Sequence, residues 1–414
     1  MWKRITSHVS VVSCGFFAGY NSFPTVHAET LRDHEFGVPK DRKRSDPMSP
    51  FFPSHKHPCT HAGMFIPGCH ELKVFSGSSH FELADDIARR LGTRVGRMTL
   101  GRFADGEVQV QIGESVRGKD VYLIQSLCNP VNDNIIELLL MVSTMRRSSA
   151  KRVSVVLPYY AYRHHKGTGP KSTSLNSHFL HSPASDIAHM LEVMGVDRAI
   201  AVDLQRPGQS QEACFFSAKV PVETLETVMA GVEYFATQVR LKGPLVVLSP
   251  NAACLEKARK FSNGLRKWKP TLDTRIAAYV EKGGDGLQKK DNHLKELVGD
   301  VKGADVIIVD EMVNDAEAML RMLDVVKSQG AKNVYCFASH AALDSKALQQ
   351  IDESELEQLV FMDTIPADPK CTYVSDKVKR LSVAPMLAEL IQAEHFKAHS
   401  YIDNEKQQVN EEEE

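Results

Sequence analysis

Four β-branched residues in a row, Val306-Ile307-Ile308-Val309, run into two acids, Asp310 and Glu311. A short polar stretch follows, then an apolar helix-period segment from Met319 to Val326. A half-solvated strand alternates apolar and polar residues, whereas a strand buried on both faces reads as a continuous run. The stretch therefore predicts a buried parallel strand over Val306 to Val309, a loop, and a helix from Asp315 to Gln329 closed by Gly330. Open α/β sheets bind ligands at the carboxyl ends of their strands, which is where the two acids fall.

The same unit recurs along the chain. Leu72 to Phe75, Val121 to Gln125, Val153 to Leu157 and Ala199 to Asp203 read as strands in the first half. Between them lie a helix with Leu83, Ile87 and Leu91 inward and Ser79 as its expected cap, and a helix over Asn132 to Ser148 with Ile135, Ile136, Leu139, Leu140 and Val142 inward. A further helix runs from Ile187 to Met194. Leu245 to Leu248, Ile276 to Val280, Val334 to Phe337, Leu359 to Met362 and Leu381 to Val383 continue the pattern, with a helix over Leu255 to Leu265 and a last helix opened by Pro385. Repeated βα units mean mainly parallel sheets flanked by helices, here twice over.

Both ends stand outside this rhythm. Residues 1–70 are rich in Pro, His, Lys and Ser without sustained periodicity and read as a disordered leader. The first 28 residues contain Lys3 and Arg4 and no acid. This leaves open plain disorder in a cytoplasmic protein or a targeting segment for the mitochondrion or another organelle. His55, His57, Cys59 and His61 match no closed zinc spacing and read as solvated linker. The 8 cysteines form no C-x-x-C pair, and 50 basic against 52 acidic residues argue against a nucleic-acid partner. No apolar run approaches the roughly 18 residues of a membrane span. Asn410 to Glu414 is a like-charge tail.

Several motifs carry more than fold. Phe75-Ser76-Gly77-Ser78-Ser79-His80, Gly113-Glu114-Ser115-Val116-Arg117-Gly118-Lys119, Leu157-Pro158-Tyr159-Tyr160, Val202-Asp203-Leu204 and Asp363-Thr364-Ile365-Pro366 occur in that order. Together they closely resemble the ribose-phosphate pyrophosphokinases, the phosphoribosyl pyrophosphate (PRPP) synthetases, over roughly residues 72 to 396. The resemblance implies an α/β fold of two tandem phosphoribosyltransferase-like domains. We expect these at 72–222 and 223–375, followed by a strand and helix at 376–398 and an acidic tail at 399–414. It also implies a dimer-based hexamer, of one subunit type or with paralogous PRPP synthetase subunits, and ATP lying across subunits. The implied reaction moves the diphosphoryl group of ATP to ribose 5-phosphate with Mg2+.

Residue by residue, the resemblance is uneven. Phe103, Asp105 and Glu107 fall on its adenine-binding segment: a ring to stack and acceptors for an exocyclic amine. Taken alone, Arg102 to Val108 reads as a surface turn around a buried Phe. The arginine position of the ATP site falls on His164, or on Arg163 if the loop slips by one, and a long Ser- and His-rich stretch from Gly167 to Pro183 follows. The metal-holding Asp-Leu-His reads Asp203-Leu204-Gln205, which trades an imidazole for a neutral amide. The later Ser-Pro-Asp reads Ser249-Pro250-Asn251. The catalytic Lys and Arg fall on Glu281 and Gly283, with Lys282 between them.

The ribose-phosphate loop departs most. Asp310 and Glu311 keep the two acids, but the cradle reads Asn314-Asp315-Ala316-Glu317-Ala318, with no Thr hydroxyl and no Gly. At about 4 Å and an effective dielectric near 20, each like-charge contact with a phosphate costs roughly 4 kcal/mol. Acids in a first turn instead suit a helix start. This decay resembles the PRPP synthetase-associated proteins, non-catalytic subunits that join active synthetases. The expectation is an impaired regulatory subunit. The alternatives are a working enzyme, with Asp203, Asp310 and Glu311 on Mg2+ and Lys282 on the phosphates, or a regulator that binds ATP or ADP without turnover.

Overall fold

The run Val306 to Val309 lies in the central strand of the largest of three sheets. In the computed structural model, residues 71–162, 183–204, 215–241, 243–281, 295–314, 316–371 and 373–395 are described. The first sheet contains β1 (Leu72–Ser76), β4 (Asp120–Ile124), β5 (Arg152–Leu157), β6 (Arg198–Val202) and β7 (Val222–Leu225), in that order and all parallel. A hairpin of β2 (Met98–Arg102) and β3 (Val108–Ile112) stands apart from it. The second sheet contains β8 (Leu245–Ser249), β9 (Thr274–Glu281), β10 (Lys295–Val298), β11 (Asp305–Val313), β12 (Val334–Ala341), β13 (Gln358–Met362) and β14 (Val378–Leu381). Its order is β10-β9-β8-β11-β12-β13-β14, parallel except where β10 runs against β9.

Helices α1 (Phe81–Arg90), α2 (Val131–Arg147), α3 (Pro183–Val193), α4 (Val228–Thr237), α5 (Leu255–Trp268), α6 (Ala316–Ser328) and α7 (Ser345–Glu353) alternate with the strands, and a last helix, α8, covers 384–395. The strand faces show why the runs are continuous. Ile307 and Val309 enter a core shared by both sheets, while Val306 and Ile308 pack on the far side with α6 and α7. Tyr122 and Ile124 of β4 join the shared core, and Val121 and Leu123 face α2 and α3. Leu83 and Ile87 of α1, Phe235 of α4, Phe261 of α5, Phe337 of β12 and Ile391 of α8 fill the shared layer. Each such side chain contributes about 1.5–3 kcal/mol by burial, so the two sheets are welded by one apolar layer.

Local expectations needed correction in four places. β11 does not stop at Val309. It pairs with β8 only through Ile308 but with β12 as far as Val313, because β12 is long enough to continue the ladder after β8 has turned away. The α1 cap is His80, whose Nδ1 accepts from the Leu83 N–H at 3.4 Å. Ser79 is spent elsewhere: its hydroxyl donates to Gln125 Oε1 at 2.7 Å and accepts from the Ser126 N–H at 2.9 Å. On α2 the buried stripe is Ile135, Leu138, Leu139, Val142 and Met145, while Ile136 (48% exposed) and Leu140 (36%) face outward. The boundary expected between 222 and 223 falls inside β7, which pairs with β6, and β14 belongs to the second sheet.

Candidate functional site

β8 ends at Ser249 while β11 and β12 run on to Val313 and Ala341, and this step in the carboxyl edge of the second sheet is the crevice of the site. Asp203, just after β6 of the first sheet, bonds Lys257 of α5 beside it. Asp203 follows β6 with φ 48°, a left-handed conformation that Asp tolerates better than most residues. Its side chain is 8% exposed and fully engaged. Oδ1 accepts from the Thr227 N–H at 3.3 Å, and Oδ2 accepts from the Thr227 hydroxyl at 2.5 Å and from Lys257 Nζ at 3.2 Å. Lys257 Nζ also donates to Ser339 Oγ, which lies 2.9 Å from Thr227 Oγ1. Burial alone would raise the Asp203 pKa. The Lys257 ammonium and the bonds from Ser339, Thr227 and Lys257 outweigh it and hold the carboxyl below its usual range.

Lys257 reaches this position because the chain after β8 makes a tight turn. Asn251 Oδ1 accepts from the Cys254 N–H at 3.0 Å and so caps the 3-10 turn Ala252–Cys254, from which α5 starts. The neutral residue at 251 thus has a local structural task. Across the crevice Asp310 Oδ1 accepts from the Glu311 N–H at 2.7 Å and from the Cys254 thiol at 3.6 Å. Burial pushes the Asp310 carboxyl above its ordinary range, and the neighbouring Glu311 charge adds to the shift. Burial and the Asp310 and Glu311 charges push the Cys254 thiol up to about 12, so it is a neutral donor and not a nucleophile.

Beyond β11, Asn314 is exposed and Ala316 is buried at the start of α6. Glu317 was expected to face the cradle. It is 72% exposed and pairs with Arg321 one turn along α6, at 2.5 Å, the i,i+4 geometry of a solvated helix face. Ala318 is exposed beside it. His164, Gln205, Lys282, Gly283 and Asp315 lie outside the described residues. Glu281 is the last residue of β9, its backbone in register with Lys295. Among the described residues, no group of three or more His, Cys, Asp and Glu side chains is arranged to hold a metal ion. Asp310 and Glu311 still supply adjacent oxygen donors of the kind a hard cation takes.

Phe103, Asp105 and Glu107 lie in the turn of the β2–β3 hairpin, whose strand β3 packs on α2. The Phe103 N–H donates to the Glu107 carbonyl at 2.8 Å, and Gly106 turns the chain at φ 94°. Arg102 pairs with Asp133 of α2 at 3.2 Å. The Phe103 ring is not buried, as a plain surface turn would have it, but 52% exposed. The turn thus exposes an aromatic side chain together with Asp105 and Glu107. Sequence reasoning did not single out Lys257, Thr227, Ser339 or Cys254 for the crevice. No helix among the described residues is long and apolar enough to cross a membrane.

Comparison with known proteins agrees with this arrangement. Residues 72–195 match the N-terminal domain of ribose phosphate pyrophosphokinase, and residues 236–402 match the phosphoribosyl synthetase-associated domain. A ribose-phosphate pyrophosphokinase of Helicobacter pylori is 36% identical over 321 residues, covering 77% of this chain and 92% of the relative. One from Clostridium acetobutylicum is 35% identical over 326 residues, covering 77% and 93%. The crystal structure of phosphoribosylpyrophosphate synthetase from Mycobacterium smegmatis superposes with a TM-score of 0.65 at 29% identity, over 78% of this chain and 98% of that one. With two α/β units, the shared motifs and near full-length similarity in place, the chain belongs to the ribose-phosphate pyrophosphokinase family.

Proposed function

We propose that this chain is a PRPP-synthetase-type subunit whose own diphosphoryl transfer is impaired and which acts by joining active paralogous subunits. The observation that carries this reading is the chemistry of residues 310–318. Two acids stand in β11 just past the point where β8 leaves it, and the segment that follows them has neither a hydroxyl nor a glycine to close on a phosphate dianion. In the family reaction Mg2+ supplies charge neutralisation on phosphate oxygens. Asp310 and Glu311 would hold it here, while the engaged Asp203 is poorly suited to do so. Glu281 and Gly283 remove two further cations from the position of the transferred group, a loss that typically costs several kcal/mol of transition-state stabilisation.

The experiment is turnover by the purified full-length chain with ATP, ribose 5-phosphate and Mg2+, read as AMP and PRPP. The expected rate lies below about 0.01 s−1, against roughly 1–1000 s−1 for ordinary enzymes. An intact PRPP synthetase co-expressed with the chain should co-purify and change its rate. Turnover in the ordinary range by the chain alone would establish the competing reading, a working enzyme with rearranged ligands, which the names of its relatives favour. The exposed Phe103 ring supports nucleotide binding in either case.

A further inference from the structure

Lys257 of α5 is a largely buried cation, and its bond to Asp203 joins the elements of the two sheets. We propose that Lys257 is the resident cation of Asp203, so that this carboxylate latches the two sheets together and is not a ligand for a divalent metal. Asp203 comes from the end of β6 in the first sheet, whereas Lys257 comes from α5 and Ser339 from β12 of the second. The carboxylate and ammonium side chains are 8% and 13% exposed and lie 3.2 Å apart. Both carboxylate oxygens carry donors: Oδ1 the Thr227 N–H, Oδ2 the Thr227 hydroxyl and the lysine. A divalent ion at Asp203 would have to share a carboxylate that already holds an ammonium, and would meet the repulsion of that charge.

The backbone supports this assignment. Asp203 sits at φ 48°, a region that is costly for a non-glycine residue, though less so for Asp than for most, and that its contacts must hold. Here three residues do so: Thr227 before α4, Lys257 of α5 and Ser339 of β12. Thr227, just before α4, closes the ring: it bonds Asp203 through both its N–H and its hydroxyl, and it touches Ser339. The result is a connected set that includes one carboxylate, one ammonium and two hydroxyls at the seam.

The latch does not depend on whether the chain turns over, and neither arm of its test uses the reaction. In the first arm, denaturant unfolding is compared for the full-length wild type, Lys257→Met, Asp203→Asn and the double variant. Removing the ammonium strands a buried carboxylate. Lys257→Met should therefore lower the folding equilibrium constant about 100-fold, and the double variant should recover at least about tenfold relative to the summed single effects. In the second arm, Mn2+ alone is titrated into wild type and Asp203→Asn and followed by electron paramagnetic resonance. The expected dissociation constants agree within about twofold, and equal absence of binding in both is the same result. Additive single and double effects, or Mn2+ binding weakened about tenfold or more by Asp203→Asn, would overturn the proposal. If Lys257→Met does not fold, the Mn2+ arm decides alone, because Asp203→Asn leaves the lysine in place.

Discussion

Substituting Gly231 by alanine should destabilise the chain, even though alanine is the better helix former. Gly231 lies within α4 with its α-carbon against the aromatic centre of the shared core. A Cβ there would come within 2.6 Å of Phe337 Cε2, 2.8 Å of Phe337 Cδ2 and 2.8 Å of Phe261 Cε2. Both rings are fully buried, stand 5.5 Å apart by centroids and are held by Phe235, whose ring lies 6.0 Å from that of Phe261. Neither ring can yield cheaply. The helix-propensity gain is about 1 kcal/mol, and overpacking a tight core costs about 1–3 kcal/mol. Contacts this short with two pinned rings put the cost at the upper end, for a net loss of about 1–2 kcal/mol. At roughly 2–4 °C per kcal/mol for a unit of this size, the melting temperature should fall by about 2–8 °C, read by calorimetry or by circular dichroism at 222 nm. The effect should also reach the crevice, since Phe337 and Ser339 share one face of β12. Gly264→Ala is the control. Its new Cβ meets Val232 at 2.9 Å and the sulfur of the partly exposed Met229 at 3.5 Å, so it should cost less. Adding Phe337→Leu to Gly231→Ala should give a smaller loss than the two singles summed. A melting temperature at or above wild type for Gly231→Ala, or strict additivity with Phe337→Leu, would refute the packing argument.

Two further outcomes are expected. His80 accepts the Leu83 N–H through Nδ1, so its proton sits on Nε2 and points to the Asp363 carbonyl at 2.9 Å. Burial holds its pKa below the ordinary value, and the Arg380 charge acts in the same direction against an attractive Asp363. The unfolded chain therefore binds this proton more readily, and the contribution of His80 is lost as pH falls from about 6.5 toward its folded value. His80→Asn keeps a cap acceptor without a titrating ring. It should flatten the stability profile between about pH 7.5 and 5.5, and an unchanged slope would show that other groups set it. Phe103→Ala should leave stability within about 0.5 kcal/mol, as expected for an exposed side chain. It should nonetheless abolish ADP binding measured by calorimetry, whereas undiminished binding would move the nucleotide elsewhere.

The strands were legible wherever both faces are buried, because burial on two sides removes the need to alternate. Val306 to Val309 divide cleanly between two cores, Ile307 and Val309 on one side and Val306 and Ile308 on the other. The hairpin strand Val108-Gln109-Val110-Gln111-Ile112 does alternate and was readable, but a search for continuous runs passes over it. The cap of α1 was not readable. Ser79 has the right chemistry at the right place, yet Gln125, 46 residues away in sequence, takes its hydroxyl, and nothing local signals that competition.

The crevice divides in the same way between what local pattern shows and what only the packing of distant elements decides. Asp203, Asp310 and Glu311 are visible as acids at strand ends. Lys257 sits among Glu256, Arg259 and Lys260 and reads as part of a solvated helix face. Its partner Asp203, 3.2 Å away, follows β6 of the first sheet, and nothing local to α5 signals it. A buried carboxylate needs a cation, a set of hydrogen-bond donors or a proton. Asp203 has the ammonium and the two Thr227 donors, and its carboxyl is driven down. Asp310 has a backbone N–H and a neutral thiol, and its carboxyl is driven up. The two acids are therefore compensated in opposite senses within one crevice. Of the two, Asp310 would therefore gain more from an added cation, and Asp203 less.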